Sequence, residues 1–216
     1  VGRVCLTVKY LEYAMDRHVL DNERSHKPTR EDTALVVVDF QGSLFSTMDE
    51  AVGRRTLAQT TLLIEGAHIL GLPIVVTEQY PAGLGVTMPE VQRALGDGYR
   101  PLAKLSFSLM GDRAIFDEIA KLDRENLILC GMETHVCVLQ SALDLLEEGF
   151  IPFVAADAVC SRQKLDWEIG LSAAADAGAE ITSAETILFT LFGAAGTDAF
   201  RAFARLLKDR ARTDGK

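Results

Sequence analysis

The chain predicts a three-layer α/β/α domain around a parallel sheet of roughly six strands. Two observations carry this. Val- and Ile-rich runs without polar alternation recur along the chain, as strands buried on both faces require. Between them lie stretches whose apolar residues repeat at helical spacing. The first strand is Ala34 to Val38, ending at Asp39-Phe40, and a helix follows over Thr56 to Leu70, closed by Gly71. Pro73 to Thr77 is the second strand, and a Pro- and Gly-rich loop spans Tyr80 to Gly98. A short segment then leads to Lys104, with a helix over Ile115 to Leu122 and a strand over Leu127 to Cys130. Gly131 breaks that run, and helical spacing resumes from Cys137 through Val138, Ala142 and Leu145 to Gly149. Ile151 to Ala156 is the next strand, Trp167 to Ala177 a helix, Ala179 to Thr182 a short strand, and Thr197 to Lys208 a closing amphipathic helix.

Bulk properties narrow the class of function. The 216 residues carry a formal charge of −9, which argues against nucleic acid or an anionic membrane as partner. Cys5, Cys130, Cys137 and Cys160 show neither metal-ligand spacing nor disulfide density, which suits a reducing, cytoplasmic compartment. No apolar stretch approaches the roughly 20 residues of a membrane span. Residues 1–28 mix basic and acidic side chains, unlike a secretory or transit leader. They read as an accessory arm, with 29–216 as the body and no repeat or linker dividing it.

In an open parallel sheet, ligands bind beyond the carboxyl ends of the strands. Asp39, Thr77 to Tyr80, Lys104, Gly131 to Cys137 and Asp157 all fall there. Cys137 is the most pointed of these. A thiol at a strand-to-helix junction sits beside unpaired N–H groups and the positive end of the helix dipole, which favour thiolate and lower its pKa. Asp39, Lys104 and Cys137 on one rim supply a base, a cation and a nucleophile, the parts that nucleophilic catalysis needs. His135, two residues before Cys137, cannot face it from a helix and reads as a turn or subunit-contact residue. Gly83 and Gly85 lack the Gly-Lys-Ser/Thr of a phosphate loop, and no dinucleotide fingerprint follows the first strand.

Three motifs in order resemble the isochorismatase-like cysteine hydrolases. They are V-V-V-D-F-Q at Val36 to Gln41, Lys104 followed by S-F, and G-M-E-T-H-V-C-V at Gly131 to Val138. T-E-Q-Y-P-A-G-L-G at Thr77 to Gly85 and D-A-V-C-S-R at Asp157 to Arg162 bring the chain nearest to the isochorismatase-domain-containing proteins. The resemblance spans about residues 30 to 208. It implies an isochorismatase-like (Rossmann-like) hydrolase fold and a catalytic triad of Asp39, Lys104 and Cys137. It also implies a non-proline cis peptide at Met132-Glu133, turning the Glu133 N–H, with that of Cys137, toward one point as an oxyanion hole.

Departures from the family pattern refine the expectation. Nicotinamidases add a metal site of Asp and His after the catalytic Asp, whereas here Gln41-Gly42-Ser43-Leu44-Phe45 follows. The four histidines lack ligand spacing, so neither a metal nor another cofactor is expected. Isochorismatase proper lacks the cysteine, so the thiol points to acyl chemistry. The expected activity is hydrolysis of a small carboxamide or related acyl substrate through a cysteine thioester. Phe40, Phe45, Tyr80 and Phe107 are the expected walls of its pocket. Members of the family are commonly dimers or larger, and Phe200, Phe203, Leu206 and Leu207 on the last helix are the expected homo-oligomer contact. The other reading is a non-catalytic binding or scaffold protein that retains the fold.

Overall fold

The computed structural model describes residues 27–214; nearly all of the expected N-terminal arm therefore lies outside the described residues. The predicted sheet is present, with six parallel strands in the order β3-β2-β1-β4-β5-β6. They are β1 (Thr33–Val38), β2 (Ile74–Gln79), β3 (Leu102–Lys104), β4 (Asn126–Met132), β5 (Ile151–Cys160) and β6 (Glu180–Thr182). The helices are α1 (Gly42–Phe45), α2 (Glu50–Leu70), α3 (Pro81–Leu84), α4 (Pro89–Leu95) and α5 (Arg113–Lys121), then α6 (Leu139–Glu147), α7 (Lys164–Ala177), α8 (Ala184–Phe192) and α9 (Asp198–Asp214). A π-helical turn, Thr134–Val138, joins β4 to α6.

Period-two alternation along the strands divides the core between two layers. Leu35, Val37, Val76, Ile128, Cys130 and Phe153 meet α2, α4, α8 and α9. Ala34, Val36, Val38, Val75, Leu127 and Leu129 meet α5, α6 and α7. All six residues of β1 are buried, which explains its unbroken apolar run.

Several elements differ from the sequence reading. Asp49 caps α2, its side chain accepting from the Val52 N–H at 3.0 Å, so the helix begins well before Thr56. The expected loop Tyr80 to Gly98 contains α3 and α4, each with proline in its first turn, where the missing N–H costs nothing. β5 runs on to Cys160 through an irregular pairing with β4. In that stretch Asp157 accepts from the Ala184 N–H at 2.8 Å, satisfying the start of α8. That helix, absent from the sequence reading, changes the role of the last one. Phe203 on α9 is fully buried, stacked on Phe192 at 4.5 Å and edge-on to Phe189 at 5.5 Å. Phe200, Leu206 and Leu207 pack partly buried beside it. The apolar face of α9 is thus covered within the chain instead of being open for a partner.

Candidate active site

The site is built where β1 ends. Asp39 has φ 49°, in the left-handed region that side chains other than Gly, Asn and Asp seldom enter. A regular strand would send Asp39 to the same layer as Leu35 and Val37. The turn redirects it across the top of the sheet, where its Oδ1 accepts from Thr77 Oγ1 at 2.8 Å. The neighbouring strand makes room. Gly131 has φ 121°, and a Cβ there would lie 1.9 Å from the Val38 carbonyl oxygen. Only glycine lets the two backbones pass so closely.

Lys104 ends β3, and its ammonium is held by four oxygens. Nζ lies 2.6 Å from Asp39 Oδ2, 2.7 Å from Gln79 Oε1, 3.0 Å from the Phe107 carbonyl and 3.2 Å from that of Ser106. Three N–H hydrogens are therefore shared among four acceptors. The side chains of Lys104 and Asp39 are both 0% exposed. Two charges so enclosed persist only because each neutralises the other within a hydrogen-bonded frame. Gln41 stiffens that frame, accepting from the Gln79 N–H at 2.8 Å and donating to the Gln79 carbonyl at 3.0 Å. Asp39 Oδ2 has no hydrogen bond beyond its contact with Lys104.

Cys137 lies in the π-helical turn, 4% exposed, within electrostatic reach of both partners. Burial, reinforced by the Asp39 carboxylate and opposed by the Lys104 ammonium, pushes its thiol up to about 12. The sequence reading expected the opposite sign, from the helix terminus. Enclosure penalises the thiolate that a helix start would favour, and the Asp39 carboxylate adds to that penalty. Cys130 is pushed up to about 12 by burial as well. Cys160 is the buried last residue of β5, and its thiol is raised to about 11, chiefly by burial.

The Met132-Glu133 peptide is cis, as the resemblance implied. The Glu133 carbonyl then accepts from the N–H groups of Val136 and Val138, both at 3.1 Å, the two on either side of Cys137. The Glu133 side chain turns toward β5 and pairs with Arg162, Nε to Oε1 2.9 Å. His135 points away from Cys137, with Nδ1 2.9 Å from Ser161 Oγ. Its backbone packs so tightly on α7 that a Cβ at Gly170 would meet it at 3.0 Å. His135 thus lies in the turn, one of the two places expected of it.

The four expected pocket aromatics separate. Phe40 is wholly enclosed in the α2 layer, 6.2 Å from Phe45, so it is core and not a pocket wall. Phe45 is half-buried and rests on α2 at Gly53. Tyr80 and Phe107 stand half-exposed at the rim, at 52% and 51%. A cavity of about 570 Å³ opens beside the end of β5, walled by Thr56, Gln59, Asp157, Arg162 and Trp167 among others; Asp39, Lys104 and Cys137 are not in its wall. Among the described residues no cluster of His, Cys, Asp or Glu could hold a metal ion, and no helix is long and apolar enough to cross a membrane. Sequence reasoning placed Thr77 and Gln79 at the ligand-binding rim but gave them no role, and missed the Glu133–Arg162 pair.

Comparison with known proteins agrees with this architecture. Residues 33–186 match the isochorismatase domain model. Isochorismatase domain-containing protein 2 of Bos taurus is 35% identical over 163 residues, covering 75% of this chain and 78% of its own. The MAR1 ribonuclease of Caenorhabditis elegans superposes with a TM-score of 0.78 at 34% identity, over 84% of this chain and 92% of that one. The YcaC gene product of Escherichia coli, described as an octameric hydrolase of unknown specificity, has a TM-score of 0.74 at 20% identity, over 87% and 97%. At that identity the likeness is one of fold. On the domain match and the bovine relative together, this chain belongs to the isochorismatase-like hydrolase family.

Proposed function

We propose that the protein is a cysteine hydrolase of small carboxamides or related acyl compounds, with Asp39 as base, Lys104 as its charge partner and Cys137 as nucleophile. The observation that carries this reading is the Asp39–Lys104 pair, fully enclosed at 2.6 Å, with a thiol against it. A buried ion pair is no asset to stability on its own, since apolar residues of similar volume do as well. Its presence beside a nucleophile favours chemistry.

With the thiol raised to about 12, the proton must leave as the reaction proceeds. Asp39 Oδ2 takes it while Sγ bonds to the carbonyl carbon and the carbonyl π pair moves to oxygen. The N–H groups of Glu133 and Cys137 receive that oxyanion, a kind of contact worth about 10²–10³ in rate. Collapse breaks the C–N bond, and Asp39 returns the proton to the amine. A water, losing its proton to Asp39, then attacks the thioester; the C–S bond breaks, the acid departs and the thiol is restored. Lys104 holds Asp39 in place and offsets the negative charge that moves between carboxylate, sulfur and oxygen. Phe45, Tyr80 and Phe107 supply apolar contact for the acyl group.

The −9 charge supports a small uncharged amide over a polyanion as substrate. A homo-oligomer is part of the proposal, with Leu105, Leu165 and Ile169, all more than half exposed, replacing the last helix as the contact. Sedimentation as a monomer would remove that part. The activity is tested with a panel of small primary and secondary amides, following release of amine and using Cys137→Ala as control. Equal release by the variant would favour the scaffold reading.

A further inference from the structure

We infer that Arg162 is a positioning residue for this reaction: it neutralises and tethers the Glu133 carboxylate, so that the Glu133 N–H can receive an oxyanion. The inference rests on the proposed oxyanion role of the Met132-Glu133 peptide. That role carries an internal conflict. The N–H meant to hold negative charge belongs to the same residue as a carboxylate, and Glu133 is only 8% exposed, so water does little to screen one from the other.

The end of β5 resolves the conflict by gripping the turn that carries Cys137. Three consecutive residues meet it in register. Cys160 pairs with Met132 in the sheet. Ser161 Oγ lies 2.9 Å from His135 Nδ1. Arg162 meets Glu133 Oε1 through Nε at 2.9 Å, and its backbone N–H adds a longer contact at 3.4 Å. Residues on both sides of Thr134 are therefore held from one strand end. Only the third contact opposes charge to charge. Arg162 also lines the cavity of about 570 Å³, so its guanidinium position can be reached from solvent.

Two reagents separate this role from simple packing. p-Nitrophenyl acetate acylates a thiol through a tetrahedral oxyanion, whereas iodoacetamide alkylates it by direct displacement without one. The ratio of the two rates at Cys137, read by intact mass, isolates the oxyanion contribution. In Arg162→Ala we expect acylation to fall about tenfold to a hundredfold, with alkylation within about twofold of the starting protein, a control that the fold and thiol are intact. Guanidinium ion should restore part of the acylation, as should Arg162→Lys. Glu133→Gln/Arg162→Ala, which removes the uncompensated charge, should acylate faster than Arg162→Ala. An unchanged ratio in Arg162→Ala, or a double variant as slow as the single one, would overturn the inference. Acetylation persisting in Cys137→Ala would instead sink the underlying catalytic reading.

Discussion

Two buried carboxylates stand at the ends of adjacent strands and are treated in opposite ways. Glu78 at the end of β2 is 4% exposed, and one of its oxygens accepts three hydrogen bonds, from Thr87 N–H at 2.7 Å, Thr87 Oγ1 at 2.8 Å and Tyr99 hydroxyl at 2.7 Å. Asp39 at the end of β1 has one hydroxyl donor, one lysine and an oxygen otherwise unengaged. The first carboxylate is saturated with neutral donors and ties a loop to the sheet. The second is held by a charge, and keeps room to accept a proton. Burial alone does not separate the proposed base from a structural carboxylate; the identity and number of the donors do.

Breaking the pair of carboxylates unequally gives the largest effect. Asp39→Asn should lower turnover of an identified amide by about 10²–10⁴, the range of a lost general base, while Glu78→Gln leaves it within a few-fold. Lys104→Met comes next. It strands the Asp39 charge in the interior and should cost about 3–5 kcal/mol, read by chemical denaturation. Thr77→Val removes the hydroxyl that donates to Asp39 Oδ1 and should cost about 1.5–3 kcal/mol in the same assay.

A smaller effect sharpens the electrostatics. Asp39 raises the Cys137 thiol and Lys104 lowers it, so the pH midpoint of Cys137 alkylation should fall in Asp39→Asn and rise in Lys104→Met, whatever happens to the rate at a fixed pH. The mildest effect falls far from the site. Burial opposes ionisation of Asp32, but hydrogen bonds involving Thr29, Asn126 and Thr33 hold its carboxyl at about 2. A carboxyl lowered in the folded state stabilises above its unfolded value, and that contribution is lost as pH falls through the folded one. Asp32→Ala should therefore be less stable at neutral pH by under about 1 kcal/mol, with the gap closing between about pH 4 and pH 2.

The sheet and the three proposed catalytic residues were legible because each signal is local. Apolar runs mark strands, and Asp39, Lys104 and Cys137 sit where those runs stop. Contacts across the chain were not legible in the same way. Gln79 meets Lys104 from 25 positions away and Arg162 meets Glu133 from 29, and no spacing rule connects them. Missing α8 had a further consequence: without its Phe189 and Phe192, the apolar face of α9 had no visible partner and read as an interface. Phe40 was misplaced because a residue following a strand-end Asp reads as rim, whereas the left-handed turn at Asp39 sends the next side chain back into the core. The sign of the Cys137 shift depended on enclosure, which a helix-start position does not reveal.

The most direct measurement is the mass of the intact protein during reaction with p-nitrophenyl acetate, for the starting protein and for Asp39→Asn. An acetyl adduct should form on Cys137 and then be hydrolysed, and it should form far more slowly without the Asp39 carboxylate. Acetylation at equal rate in both proteins, or at residues other than Cys137, would contradict the proposed mechanism.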